Sequence, residues 1–236
     1  MYRPSRTQGT FDHFIVAAHW GSRRESLDEC ATRAGRLLLS LVGCDPVFSR
    51  WVEFLGADTS WTERPVEPTE KDLKAILSRG QNRRDTDGSP IPELGFGVGL
   101  STPGKQKEST RVSVHCGAYS RYVGNDCLIE LPSEGPAALR LLRMDAVTCM
   151  LSSLVASWNP DMGVVTSSEF QAQVGTLTPG WLTYLKKEPD ALGSLPAPSR
   201  AAPLGSGVLV VMTEEPLSAN NPAHLELARL VTRSLE

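Results

Sequence analysis

The stretch from residue 11 to residue 55 constrains the fold more than any other part of the chain. Residues 14–18 form an apolar run rich in β-formers, and Gly21 breaks this run, which predicts a buried strand. Ser26 then precedes Glu29 by three residues, the spacing of a capping box in which hydroxyl and carboxylate each accept a backbone N–H. A helix is therefore predicted to begin directly after Ser26.

This predicted helix has one apolar face. Its apolar residues recur at spacings of three and four, the period of a helix packed against a core: Leu27, Cys30, Ala31, Ala34, Leu37, Leu38, Leu41 and Val42. Gly43 is a helix-ending signal, and Asp45-Pro46 restarts the chain into residues 47–55, for which we predict a second helix. Residues 56–68 are predicted to form a loop anchored by Trp61.

Three strands in a meander are predicted in the middle of the chain, over residues 94–100, 111–116 and 127–131. The second strand alternates apolar and polar residues, which is typical of an antiparallel sheet with one buried face. Every second residue of the first strand is glycine, so we expect a helix or loop to lie close over it. The connection 119–125 forms the tip of a hairpin.

A second long amphipathic helix is predicted over residues 136–158. Further predictions are strands at 163–166, 181–185 and 208–212, a surface loop at 187–206, and a final helix that begins near Pro222. Together these elements predict an α+β fold, with a mainly antiparallel sheet packed against two long amphipathic helices plus shorter helices, on one face of the sheet. We expect a single domain over residues 1–236, in which residues 1–10 form a flexible arm.

Composition narrows the class of protein. The formal net charge of −3 provides no basic surface for nucleic acid, so direct nucleic-acid binding is not expected. No apolar stretch is long enough to cross a membrane, and the N-terminal residues do not have the pattern of a secretory signal, so we expect a soluble, cytoplasmic protein. The five cysteines are an odd number within apolar patterns, which predicts reduced thiols in the core.

The chain carries no recognisable catalytic or metal-binding motif. The four histidines have no partner at metal-ligand spacing, and no phosphate-binding or nucleophile-elbow pattern occurs. His115 and Cys116 are adjacent on a predicted strand, so their side chains point to opposite faces and are not expected to share a metal. We therefore expect no metal and no cofactor, and an enzyme with a site near His115 or Cys116 is kept only as an alternative.

Several segments, in order, resemble the immunity protein 52 family of bacterial polymorphic-toxin systems, which are associated with type VI secretion. They are His19–Ser26, Cys30-Ala31, Cys44-Asp45-Pro46, the pair Phe48 and Trp51, and Gly180–Leu185. The resemblance implies a protein without enzymatic activity that binds and neutralises a toxin encoded beside it, typically a nuclease with a restriction-endonuclease-like fold. An adaptor subunit of a secretion apparatus is a further alternative.

Two segments are candidates for contact with such a toxin. The first is the hairpin tip, and the second is a polar segment at residues 20–25, which we call the knuckle; aromatic and arginine side chains of this kind dominate binding hot spots. The candidate residues are Tyr119, Arg121, Tyr122 and Asp126 at the tip, and Trp20, Arg23 and Glu25 in the knuckle.

The knuckle also has a purely structural interpretation. Trp20 would then cover the end of the first helix, which we favour, and Arg23, Arg24 and Glu25 would hold the loop by ion pairs. The sequence does not indicate an oligomeric state, nor whether inhibition occurs by covering the toxin's active site or at a distance from it.

Overall fold

The computed structural model describes residues 11–57, 60–175, 178–188, 190 and 192–235, so the predicted N-terminal arm lies outside the described residues. The strands are β1 (Phe14–Trp20), β2 (Trp51–Ala57), β3 (Ser60–Val66), β4 (Phe96–Ser101), β5 (Arg111–Cys116), β6 (Asn125–Glu130), β7 (Met162–Ser167), β8 (Leu182–Leu185), β9 (Arg200–Leu204) and β10 (Gly207–Val211). The helices are α1 (Leu27–Val42), α2 (Glu70–Arg79), α3 (Gly135–Leu141), α4 (Met144–Trp158), α5 (Ser168–Val174) and α6 (Pro222–Leu235).

The strands form one antiparallel sheet in the order β3-β2-β4-β5-β6-β1-β7-β8-β10-β9. This confirms the predicted α+β class. The first predicted strand, β1, lies inside the sheet between β6 and β7. It is apolar because both of its faces are buried, as the consecutive residues Val16, Ala17 and Ala18 show, and α4 covers one of these faces.

The predicted capping box is present at the start of α1. Ser26 Oγ accepts the N–H of Glu29 at 3.2 Å, and Glu29 accepts the N–H of Ser26 at 2.7 Å. The apolar face of α1 packs against α2 and α4, and α4 covers β1 and β7. Leu151 of α4 approaches the sheet so closely that a Cβ on Gly163 would lie 2.8 Å from its Cδ1. No helix in the described part of the chain is long and apolar enough to span a membrane.

The prediction that helices cover only one face of the sheet holds for part of the sheet but not for β10. In β10, Leu209 and its neighbours Val208 and Val210 point to opposite faces, and all three are buried. The sheet is therefore enclosed on both faces at β10, which explains why this strand is apolar at every position.

The predicted second helix at residues 47–55 is wrong. A single 3-10 turn at Pro46–Ser49 leads directly into β2, which pairs with β3 along its full length. Short apolar segments fit a helical period and a strand equally well, and pairing with a neighbouring strand decided this one. The predicted loop at 56–68 is wrong for the same reason, because most of it is β3.

Two further boundaries differ from the prediction. The helix predicted over 136–158 is two helices, α3 and α4, separated where Arg143 takes an extended conformation with φ −90° and ψ 147°. The predicted surface loop at 187–206 contains β9, an edge strand whose residues are mostly exposed and which includes Pro203. The sequence of β9 resembles that of a loop because an edge strand, which is paired on one side only, commonly carries polar residues and proline.

The prediction of five reduced thiols is wrong for two of them. Cys44, just beyond α1, forms a disulfide with Cys149 of α4, with their Cα atoms 5.5 Å apart. Cys30, Cys116 and Cys127 are free and buried, as predicted. The disulfide joins the segment just after α1 to α4 through cysteines that are 105 residues apart in the sequence, a relationship that spacing alone did not reveal.

Buried carboxylates are each paired with arginine from another part of the chain. Asp45 accepts two hydrogen bonds from Arg140 of α3, at 2.7 and 2.9 Å. Glu53 of β2 is bound by Arg64 of β3 and by Arg79 of α2. A buried charge is tolerated only when it is paired and hydrogen-bonded. These ion pairs therefore fix the positions of the elements that carry them relative to one another.

Candidate functional site

Trp20 of the knuckle is part of the core. Its side chain is 4 % exposed, and its ring stacks on that of Trp158 with centroids 5.1 Å apart. The guanidinium of Arg23 lies 5.3 Å from the centroid of the Trp20 ring. Trp20 therefore has a structural role, as we favoured. It covers the end of α4, however, and not the end of α1 as predicted.

Glu25 and two arginines clamp the knuckle onto α4. Glu25 is 8 % exposed and lies 3.2 Å from Arg23 and 2.7 Å from Arg33. Arg23 donates to the carbonyl of Trp158 and Arg33 to that of Ser157, both at 2.9 Å. Because the carboxyl end of a helix carries a partial negative charge, these cations stabilise it, while Glu25 balances the cations.

The knuckle lies beside the loop that joins β5 to β6, residues 117–124. Arg23 donates its backbone N–H to the carbonyl of Ala118 at 2.9 Å. The side chain of Asn125 bonds to Ala118 on one side and to Gly21 on the other. Two segments that the sequence nominated separately therefore form one continuous surface.

The aromatic and basic side chains of this surface point outward. Tyr122 is 79 % exposed, and the guanidinium of Arg121 lies 4.6 Å from its ring centroid. Arg24 of the knuckle lies 5.1 Å from the ring centroid of Tyr119. Asp126 is half-buried at the start of β6. We call these five residues, Arg24, Tyr119, Arg121, Tyr122 and Asp126, the knuckle–loop surface.

A hollow of about 550 Å³ opens beside this surface. The carboxylates of Asp126 and Asp161 and the rings of His19 and Tyr122 line it, and none of the described residues in its lining is lysine or arginine. Asp161 accepts the backbone N–H of Gly21 at 2.9 Å, which fixes one wall. The lining therefore carries two carboxylates and aromatic rings, and Lys186 lies 4.0 Å from the Asp161 carboxylate.

His115 and Cys116 lie on opposite faces of β5. The His115 nitrogens lie 3.2 Å from the carbonyl of Gly124 and 2.8 Å from that of Leu94. Cys116 is fully buried, and its hydrogen bond with Cys30, together with burial, raises the pKa of its thiol. A thiol that stays protonated is a poor nucleophile. Among the described residues, no three His, Cys, Asp or Glu side chains converge as a metal site requires.

Sequence reasoning missed two residues that organise this region, Asn125 and Arg33. Asn125 follows Gly124 at a turn, a position where asparagine commonly bonds to nearby backbone, and that signal was available. Arg33 lies on the polar face of α1, and nothing in its spacing indicates a partner at the end of α4.

The fold is similar to that of a solved structure, and the sequence matches a family model. The solved structure of the Pseudomonas aeruginosa T6SS protein PA0821 is similar in fold, with a TM-score of 0.58 and 12 % sequence identity over 94 % of this chain and 72 % of that chain. No curated protein matches the sequence. The family model described as immunity protein 52 matches residues 12–236. The chain therefore belongs to the immunity protein 52 family.

Proposed function

We propose that this protein neutralises a toxin by binding it through the knuckle–loop surface. The observation that carries the proposal is membership of an immunity protein family over residues 12–236. The choice of surface is supported by its side chains, because exposed tyrosine and arginine are enriched among residues that dominate binding energy. Arg24, Arg121 and Tyr122 are exposed, and Tyr119 is half-buried.

The proposed toxin is a nuclease of restriction-endonuclease-like fold. A nuclease cleft that holds phosphates is basic, and the hollow beside the knuckle–loop surface presents Asp126 and Asp161. Attraction between opposite charges speeds association and selects the partner. The similarity of fold to a protein described as a T6SS protein supports a setting in type VI secretion.

The candidate residues divide into two groups by accessibility. Trp20 and Glu25 are buried, and Arg23 is bound to α4, so we assign them to holding the knuckle in place. Tyr119, Arg121, Tyr122 and Asp126 are assigned to contact with the toxin. We propose that binding covers the toxin's active site or substrate-binding surface, with binding at a distant face as the alternative mode.

We propose that the protein acts without catalysis, as a single domain. The enzyme alternative rested on His115 and Cys116, whose side chains lie on opposite faces of β5. The raised pKa of the Cys116 thiol and the carbonyl contacts of His115 leave that alternative without a nucleophile and base in contact. No specific observation favours the adaptor alternative.

The Cys44–Cys149 disulfide bears on the cellular compartment in which the protein acts. The sequence favours the cytoplasm, whereas the Cys44–Cys149 disulfide favours an oxidising compartment such as the periplasm, because cytoplasmic thiols are kept reduced. Acid quenching of the cells, then alkylation with a maleimide under denaturing conditions and mass spectrometry, distinguishes the two. Alkylated Cys44 indicates the cytoplasm, and a protected Cys44–Cys149 pair indicates the periplasm.

The function is tested by co-expression with the toxin-like protein encoded beside this gene. We expect the chain to restore growth of cells that express the toxin, to co-purify with it and to abolish its cleavage of DNA or RNA. Leu139→Ala is the matched control for Tyr122→Ala, because both side chains are exposed. Leu139 precedes the start of α4, whereas the knuckle contacts the end of α4. Absence of both rescue and co-purification overturns the proposal.

A further inference from the structure

Asn125 uses its entire side-chain amide to join the knuckle to the β5–β6 loop. It is 2 % exposed and is the first residue of β6. Its Oδ1 accepts the N–H of Ala118 at 2.8 Å, and its Nδ2 donates to the carbonyls of Gly21 at 2.8 Å and Ala118 at 3.0 Å. A single short side chain thus supplies one acceptor and two donors to two separate segments.

Only asparagine satisfies this arrangement without a change in the backbone. An ionised aspartate retains the acceptor for Ala118 but has no donor, so it would face the carbonyls of Gly21 and Ala118 with negative charge. A serine hydroxyl has only one hydrogen to donate, and its side chain is shorter. Either replacement leaves buried backbone groups unpaired, which weakens the junction.

The exposed side chains of the surface extend from the backbone that this amide holds. The Ala118 carbonyl accepts hydrogen bonds from both Asn125 and the N–H of Arg23, and Tyr119, the next residue, carries Arg24 on its ring. The N–H groups of Tyr119 and Ser120 both bond to the carbonyl of Glu93. The loop therefore leaves the sheet in one direction, and Tyr122 lies within three residues of the bonds that set that direction.

We infer that Asn125 is a positioning residue for partner binding: it presets the geometry of a surface that it does not itself expose. This inference rests on the proposed function, because it concerns the same surface. Ordering of loops on association is a cost that a preformed surface avoids, so the amide raises affinity without touching the partner. The expected consequence is that loss of the amide weakens binding more than an equal disturbance elsewhere in the sheet.

The test compares Asn125→Asp and Asn125→Ser with Thr102→Val in the full chain. Thr102 is a suitable control, since its buried hydroxyl accepts the N–H of Thr110 at 2.9 Å at the opposite end of β4 and β5. The first measurement is hydrogen exchange of residues 21–24 and 119–124 in the free protein. We expect exchange to be roughly tenfold faster in the Asn125 variants and unchanged there in Thr102→Val.

The second measurement is the dissociation constant for the neighbour-encoded toxin. We expect binding about tenfold weaker or more for the Asn125 variants, and within about threefold of wild type for Thr102→Val. Wild-type exchange and affinity in the Asn125 variants, or equal weakening by Thr102→Val, overturn the inference. If the wild-type chain itself binds no such toxin, the proposed function fails, and the exchange rates alone then decide whether Asn125 orders the two segments.

Discussion

Trp20, the last residue of β1, stacks on Trp158, the last residue of α4, with ring centroids 5.1 Å apart and planes inclined by 17°. Both rings are buried, at 4 % and 0 % exposure. The contact joins a strand inside the sheet to the helix layer at the place where the knuckle begins. Trp20, which the sequence suggested as a contact with a partner, is therefore part of the core.

Replacement of Trp20 is expected to reduce stability. Trp20→Ala removes a buried aromatic side chain and leaves a cavity against Trp158, which predicts a loss of about 3–5 kcal/mol in the free energy of unfolding. Chemical denaturation measures this loss, and Trp20→Phe, which keeps an aromatic ring, serves as the control with a smaller effect. A Trp20→Ala variant as stable as wild type contradicts the packing role.

Tyr122→Ala is expected to weaken toxin binding while leaving the stability of the fold almost unchanged. Since its ring is 79 % exposed, its removal is predicted to change the free energy of unfolding by less than about 0.5 kcal/mol. If Tyr122 is a binding hot spot, affinity for the toxin falls by about 2 kcal/mol, or roughly thirtyfold. Titration calorimetry of Tyr122→Ala beside Leu139→Ala checks this, and equal affinities of the two variants count against the proposed surface.

The disulfide is expected to contribute strongly to stability. Cys44 and Cys149 are 105 residues apart, and on the loop-entropy model a closed loop of this length stabilises the folded chain by about 4–5 kcal/mol. Cys44→Ser is predicted to lose much of this free energy, and a reductant is predicted to destabilise wild type but not the variant. Equal melting temperatures for oxidised and reduced wild type refute this prediction.

The Asp45–Arg140 pair predicts a specific loss of stability in acid. Hydrogen bonds from the Arg140 guanidinium hold the pKa of the Asp45 carboxyl below its ordinary value of 3.8. Because the pKa is lower in the folded chain, the pair stabilises the fold fully above about pH 4, and this stabilisation is lost as the pH falls through the folded pKa.

Asp45→Asn tests this pH dependence. At pH 7 the variant is predicted to be about 1–3 kcal/mol less stable than wild type, because a hydrogen bond to a charged group is removed. The difference is predicted to shrink as the pH falls through the folded pKa of Asp45 and its carboxyl becomes protonated. Denaturant titrations of both proteins at several pH values measure it, and equal stability of the two proteins at pH 7 argues against the assigned pair.

Local signals in the sequence were sufficient for the elements with strong caps or regular periods. The capping box of Ser26 and Glu29 located the start of α1, and alternation of apolar and polar residues located β5. The same reasoning failed at residues 47–66, where a short apolar segment is compatible with either period. The resemblance to immunity protein 52 was confirmed by the family match over residues 12–236.

The candidate site was predictable only as separate pieces. Tyr122 and Arg121 were nominated from residue type and from their place at a hairpin tip, and their binding role stays a prediction. Trp20 and Glu25 were nominated in the same way, yet both side chains are buried, because the end of α4 offers an aromatic ring and carbonyl groups to cover. Residue type alone does not distinguish a contact with a partner from a contact within the core.

The sequence by itself determined the fold class, the principal strands and helices, and the family, because these depend on periodicity, caps and motifs read along the chain. The tertiary structure alone decided that the knuckle and the β5–β6 loop form one surface, that Cys44 bonds to Cys149, and that Asn125 holds the junction. Each of these relationships joins residues distant in sequence. The physical reason is that a side chain's partners are set by the packing of the sheet against the helices, which no local pattern specifies.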